Sequence, residues 1–364
     1  MSKQSSPWRA GPVSTFNAQR EAELRLRAEA MKASLAGLTG DALDTAIMQT
    51  LFAGQAEQPE PSFILLAGQV GSGAGRWIPR LLQAHDVGAV QLSAEELQAF
   101  HPRFLDASFR SSPDGQRELP ESAARWLQAA LRHGREHRYS MLLEGAFASP
   151  DAALAVSHRF AQSGYTVHVA AVAARADESL LASTSTALRQ MRELQAPRIV
   201  SPREHAATLE GTRALIAASE IDPAVHRVSV LGRDGGFAFN EQRSPNGQAL
   251  AGATRAWELA QAERMTTLES AQWLGELRRI TEFAQALRHL PTPIREALID
   301  LHEMALRRVV PELPVPTGSE VQRLQAGRHR EALAELTRGF NRQPGPDSAA
   351  PSMQPTPSTG TLER

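Results

Sequence analysis

Five short apolar runs set what this chain can fold into. They are FILLAG (63–68), GAVQL (88–92), YSMLLEG (139–145), TVHVAAVAA (166–174) and VHRVSVLG (225–232). Their apolar character is nearly continuous rather than alternating, which marks strands covered on both faces. Amphipathic stretches separate most of them, among them SAARWLQAALRHGREH (122–137) and SPDAALAVSHRFAQSG (149–164). Strands alternating with helices predict an α/β fold, a parallel sheet with helices on both faces. RDGGFAF (233–239) reads as a turn into a last short strand.

The flanks have a different character. Residues 1–18 are expected to be disordered. Residues 19–53 form an N-terminal helical segment, whose Arg20, Glu21, Glu23, Arg25 and Arg27 read as a solvated charged face. GQAEQPEPS (54–62) is a linker, and the α/β domain spans 55–245. Residues 248–340 carry only amphipathic helical patterns and form an all-helical C-terminal extension, packed on the sheet domain or on a partner. The Pro-, Ser- and Gly-rich tail, 341–364, is expected to be disordered. Trp77, Trp126, Trp257 and Trp273 are expected in the core or at an interface.

Composition excludes several classes of function. The formal net charge is -1, so no global attraction to nucleic acid or to an anionic membrane is expected. Cysteine is absent, which removes disulfides and thiolate chemistry and fits a reducing compartment. The 11 histidines are scattered without ligand spacing, so no protein-held metal is expected. No run approaches the ~20 apolar residues of a membrane span. The first residues hold no apolar core of a Sec signal. The expected location is cytoplasmic, and the Ser-rich start is also compatible with delivery as a secreted effector.

The first strand runs into a glycine-rich turn, GQVGSGAG (68–75). Gly68 and Gly73 occupy the two glycine positions of a phosphate-binding P-loop, G-x-x-x-x-G-K-[ST]. Such a loop works because backbone N–H groups wrap the phosphates at a helix N-terminus, and glycine permits the necessary dihedrals. Gly68, Gln69, Gly71, Ser72, Gly73, Ala74 and Gly75 are the candidate nucleotide-binding residues. Ala74 stands where the lysine belongs, and Gly75 where the metal-binding Ser or Thr belongs. Arg76 follows closely, but two helical residues turn its side chain roughly 200° away from the lysine direction. Pro79 is tolerable only in the first turn of the following helix.

A second group of residues follows the second strand, LSAEELQAFHPRF (92–104). Glu95 is placed at the carboxyl edge of the sheet, where it could take a proton from an acceptor hydroxyl. Ser93 and Glu96 fit a capping box, which leaves Glu95 free. His101, in a His-Pro turn, is a candidate substrate residue or a structural one. Glu144, at the end of LLEG, is a candidate functional acid, because an unpaired buried carboxylate is costly. Arg198 reads equally as a phosphate-binding group or as a surface ion-pair partner.

Taken in order, GQVGSGAG, LSAEELQAF, HPRF, LLEGAF (142–147), ARADESLL (174–181), PRIVSPREH (197–205) and VSVLGRDG (228–235) resemble the zeta toxin family of P-loop kinases. The similarity covers roughly residues 55–245. It implies an ATP- and Mg²⁺-dependent kinase that phosphorylates a sugar hydroxyl of a nucleotide sugar such as UDP-N-acetylglucosamine. It also implies a partnership, in some members, with a small helical antitoxin. On this resemblance Glu95 falls at the catalytic base, as Glu rather than Asp, Glu144 at the substrate-side acid, and Arg198 at the second lid arginine. The first lid arginine is missing from STSTA (183–187), with Arg189 and Arg192 nearby. With Ala74 and Gly75, these departures leave two expectations: a phosphotransferase, and a degenerate relative that binds a nucleotide or a protein.

Overall fold

A computed structural model describes residues 13–85, 88–244 and 250–340. The tail 341–364 and residues 1–12 of the expected disordered start lie outside the described residues. The rest of that start differs from expectation. Helix α1 (Val13–Leu35) already begins at Val13. It is followed by α2 (Gly40–Leu51).

The sheet has six strands: β1 (Ser62–Ala67), β2 (Val90–Ser93), β3 (Met141–Gly145), β4 (Thr166–Val172), β5 (Arg227–Leu231) and β6 (Phe237–Gln242). Their order is β2-β3-β1-β4-β5-β6, parallel except for β6, which returns antiparallel to β5. β1 is therefore central and fully buried. Its side chains alternate between two cores, which is why its sequence is apolar throughout. Phe63 and Leu65 join Phe160, Val169 and Trp257 on one face, and Ile64 and Leu66 join Trp77, Leu81 and Val172 on the other.

The connecting helices are α3 (Ile78–His85), α4 (Ala94–Gln98), α5 (Ala107–Ser111), α6 (Pro113–Glu136), α7 (Pro150–Gln162), α8 (Ala176–Arg192) and α9 (Pro202–Ile221). α6 starts nine residues before the expected 122, capped by Ser112 and carrying Pro120 inside it. Pro79 lies in the first turn of α3, where no helical N–H is lost. The N-terminal segment is part of this body. Leu24 and Ala28 of α1 pack on Phe104, Phe109 and Leu119, while Ile47 of α2 meets Leu97, Phe100 and Trp126. Trp126 Nε1 donates to Asp44 at 2.7 Å.

The C-terminal extension consists of α10 (Ala253–Ala262), α11 (Thr267–Ala286), α12 (Thr292–Met304), a π turn (Ala305–Val309), α13 (Val310–Glu312) and α14 (Glu320–Phe340). It shares a core with α8: Leu180, Leu181 and Leu188 pack with Trp273, Leu277, Ile294 and Leu298. The four tryptophans assigned to core or interface are all buried. No helix among the described residues is long and apolar enough to cross a membrane.

Candidate functional site

Strand register brings the acids to the glycine loop. Leu66 of β1 pairs with Glu144 of β3, and Glu144 pairs with Ser93 of β2. The residues just past these three strands therefore lie side by side on the carboxyl edge of the sheet, where open α/β sheets bind ligands. They surround a crevice of about 370 Å³ lined by Gly68–Ala74, Ser93–Glu95, Glu144, Arg198 and, from α1, Arg20. A larger cavity of about 750 Å³ opens between α11, α12 and α14 around Leu274, Thr281, His302 and His329. It contains neither the loop nor a strand-end acid, so the chemistry indicated by the sequence belongs to the smaller crevice.

Two of the loop glycines have left-handed backbone. Gly71 and Gly73 have φ of 81° and 67°, the left-handed region that glycine enters without strain. A β-carbon on Gly71 would overlap the carbonyl oxygen of Ser179 in α8. The chain then enters a 3₁₀ turn, Ala74–Trp77, before α3.

Three tethers hold the loop from outside the crevice. Gln69 Nε2 donates to Ala174 O (2.6 Å) and Ser179 Oγ (3.2 Å), and the Val70 N–H donates to Thr208 Oγ1 (3.2 Å). Ser179 Oγ also meets His205 Nε2 at 2.8 Å. Burial pushes the His205 pKa down to about 4, so this imidazole is neutral near neutral pH. The amides of Gly71 and Gly73 make no hydrogen bond among the described residues, which suits them to an anion.

The two positions that depart from the P-loop pattern are filled differently. The Ala74 methyl sinks into the apolar cluster with Trp77 and Ile78. Gly75 is covered by the Arg20 guanidinium. A β-carbon on Gly75 would overlap Arg20 Nη1 and lie 3.1 Å from Glu144 Oε2. Arg20 binds Glu144 through both ends, Nη1 to Oε1 at 3.0 Å and Nη2 to Oε2 at 2.6 Å. Its Nη2 also reaches Ser93 Oγ (3.4 Å) and approaches Glu96 (3.7 Å). Burial penalises this charge. The hydrogen bonds and attraction of Glu144, helped by Glu95 and Glu96, outweigh that penalty and hold the Arg20 pKa above its usual value.

Arg20 and Glu21 therefore do not lie on a solvated face as their sequence context suggested. Arg20 enters the crevice, and Glu21 pairs with Arg189 at 3.0 Å, tying α1 to α8. No local pattern marked Arg20. The sequence feature that bears on it is the joint loss of cation and hydroxyl at residues 74 and 75.

Glu95 is exposed at the start of α4 and lines the crevice. Ser93 caps α4 by accepting the Glu96 N–H at 3.1 Å. The reciprocal half of the expected capping box is absent, because the Glu96 carboxylate faces Arg20 and Arg27 instead. Burial raises the Glu96 pKa, Arg20 and Arg27 pull it back, and Glu144 and Glu95 raise it further.

Arg198 is exposed on the opposite wall, its N–H bound to Gln190 Oε1 at 2.8 Å. Ser183 and Thr186 line the crevice where the first lid arginine was missing. Arg189 is turned to Glu21, and neither it nor Arg192 lines the crevice. Arg76 stacks on Trp77, 4.7 Å from the ring, and stays outside the lining, as its helical angle required. His101 is also outside the lining. It is buried, its Nε2 is 3.0 Å from Glu118, its Nδ1 accepts the Arg103 N–H at 3.2 Å, and its ring stacks on Phe109. This is the placement of the structural alternative.

The loop fits a phosphate, but the usual place of Mg²⁺ does not fit a divalent ion. The hydroxyl that would bind it is missing at Gly75, and the strand-end acid Glu144 is held on both oxygens by Arg20. Among the described residues no group of three or more His, Asp or Glu could hold a metal ion.

The family model described as Zeta toxin matches residues 47–244, more than half of the chain. No curated protein sequence matches it. Among solved structures, the PezAT chromosomal toxin–antitoxin system of Streptococcus pneumoniae aligns at 16% identity with a TM-score of 0.54, over 68% of this chain and 98% of that one. A native AvrRxo1-ORF1:ORF2 complex aligns at 14% identity and a TM-score of 0.38, over 87% of this chain and 88% of that one. The pneumococcal likeness bears on the fold alone.

Proposed function

The chain belongs to the zeta toxin family, and on that premise we propose that its crevice binds the phosphates of ATP on the glycine loop. It then directs phosphoryl transfer to a hydroxyl of a nucleotide sugar or a similar small molecule. One observation carries this reading: the loop, Glu95, Glu144 and Arg198 line the same crevice although they come from four separate segments of the chain.

The Gly71 and Gly73 amides donate to phosphate oxygens at the N-terminal end of the Ala74–Trp77 turn and α3. ATP supplies the activated phosphoryl group. Glu95, exposed and without an ion-pair partner among the described residues, accepts the proton of the acceptor hydroxyl. Glu144, pinned by Arg20, orients the acceptor. Arg198 answers the negative charge on the transferring group. The pneumococcal neighbour is a toxin–antitoxin system, and a protein partner that covers this crevice is part of the same proposal.

A second reading is favoured by Ala74 and Gly75: a module that binds nucleotide or protein without transfer. Incubating the full chain with ATP labelled on its terminal phosphate and a panel of nucleotide sugars separates the two. Transfer that falls about 100-fold or more in Glu95→Gln, with ATP binding unchanged, supports the phosphotransferase. Binding without transfer to any acceptor supports the module.

A further inference from the structure

We propose that Arg20 takes the place of both the loop lysine and the magnesium ion, so that the crevice binds a nucleotide polyphosphate without a divalent cation. The proposal rests on the reading of the crevice as a nucleotide site and specifies how that site is charged.

A P-loop usually meets the β- and γ-phosphates with two cations, a lysine and a metal held by the loop hydroxyl and a nearby acid. Here the place of the missing loop hydroxyl, beside the strand-end acid, is filled. The guanidinium lies against Gly75 on one side and binds both oxygens of Glu144 on the other. A Ser or Thr at residue 75 would need the volume that Arg20 occupies, so the hydroxyl and the guanidinium exclude each other. A divalent ion placed there would also meet a fixed positive charge. The missing hydroxyl at residue 75 and the inserted arginine are thus one arrangement.

Arg20 is held in place by the packing of its helix. Leu24 and Ala28, one and two turns along α1, are buried against Phe104, Phe109 and Leu119. Glu21 pairs with Arg189. The charge sum also requires a cation. Without Arg20, the Glu95 and Glu144 carboxylates that line the crevice would oppose a polyphosphate. An arginine suits this role because its planar fork can hold a carboxylate on one edge and leave its other edge to phosphate.

The test is calorimetric titration of the full-length protein with ATP, once with excess EDTA and once with excess Mg²⁺. The proposal predicts equal affinity in the two buffers. Arg20→Met should weaken binding by about tenfold to a hundredfold in both, as expected for the loss of a charged hydrogen bond to phosphate. Arg20→Met/Glu144→Gln separates contact from mere neutralisation. If Arg20 touches phosphate, this pair stays weak. If Arg20 only cancels Glu144, it recovers wild-type affinity, and the proposal fails. Arg20→Met/Ala74→Lys/Gly75→Thr, which restores the usual loop in the vacated space, should bind ATP only with Mg²⁺. Wild-type binding that requires Mg²⁺ overturns the Arg20 proposal and leaves the nucleotide site standing. No binding in either buffer, by a protein whose thermal unfolding is cooperative, overturns both.

Discussion

Arg175→Met should lower the unfolding free energy by about 3–5 kcal/mol, the range for breaking a buried ion pair from one side. Arg175 stands at the junction of β4 and α8 with no solvent exposure. Its Nε and Nη2 hold the two Asp177 oxygens at 2.9 and 2.7 Å. Its Nη1 donates to the Glu263 carbonyl and to Glu312, both at 2.9 Å. One guanidinium thus joins the sheet domain to two parts of the C-terminal extension. Methionine fills much of the volume but leaves Asp177, 1% exposed, as a buried charge held by the Glu178 N–H at 2.9 Å and with Arg308 at 3.8 Å. Arg175→Met/Asp177→Asn should therefore lose less than the single change, because the orphaned charge is the main cost. Urea unfolding of both variants measures this. A loss below about 1 kcal/mol for the single change would mean the pair contributes no more than a surface bridge.

Acid should also loosen the fold through its buried imidazoles. The His205 pKa is pushed down to about 4 by burial. The His302 pKa is pushed down to about 4 by burial and by neighbouring His329. The unfolded value is near 6.5. Above pH 6.5 both states are neutral and stability is at its full value. Between about 6.5 and 4 the unfolded chain takes up the proton first, and stability is lost as the pH falls. For His205 the loss from pH 7.5 to pH 5 is about 2 kcal/mol. Glu96 and Glu178, raised by burial, act in the opposite direction, so the clean quantity is a difference. Wild type should lose about 2 kcal/mol more than His205→Gln over that interval. Equal losses would contradict a neutral, buried His205. Because this ring meets Ser179, which holds Gln69, the same protonation should loosen the loop.

The sequence revealed most of the frame for a simple reason. A central parallel strand must be apolar on both faces, so FILLAG, TVHVAAVAA and RVSVL could hardly be other elements. The loop glycines were legible because residues 71 and 73 need left-handed backbone. Glu95 and Glu144 could be placed because a strand end fixes where its next residue lies.

What escaped were contacts between distant segments. Arg20 looks like any charge on a polar helix, and only the packed position of α1 turns it onto Glu144, 124 residues away. His101 reads equally as ligand or strut until Glu118 and Phe109 surround it. The early start of α6 was obscured by Pro120, which a long, well-capped helix absorbs. The shared core of α8 with α11 and α12 has no signature beyond amphipathicity, which does not name its partner.

Hydrogen exchange of the full chain with and without ATP tests most directly whether the crevice is a nucleotide-phosphate site. Slowed exchange confined to the glycine loop and the start of α3, residues 68–78, together with 93–96 at the start of α4, is the predicted result. Unchanged exchange there, or protection found instead around His302 and His329, would contradict it.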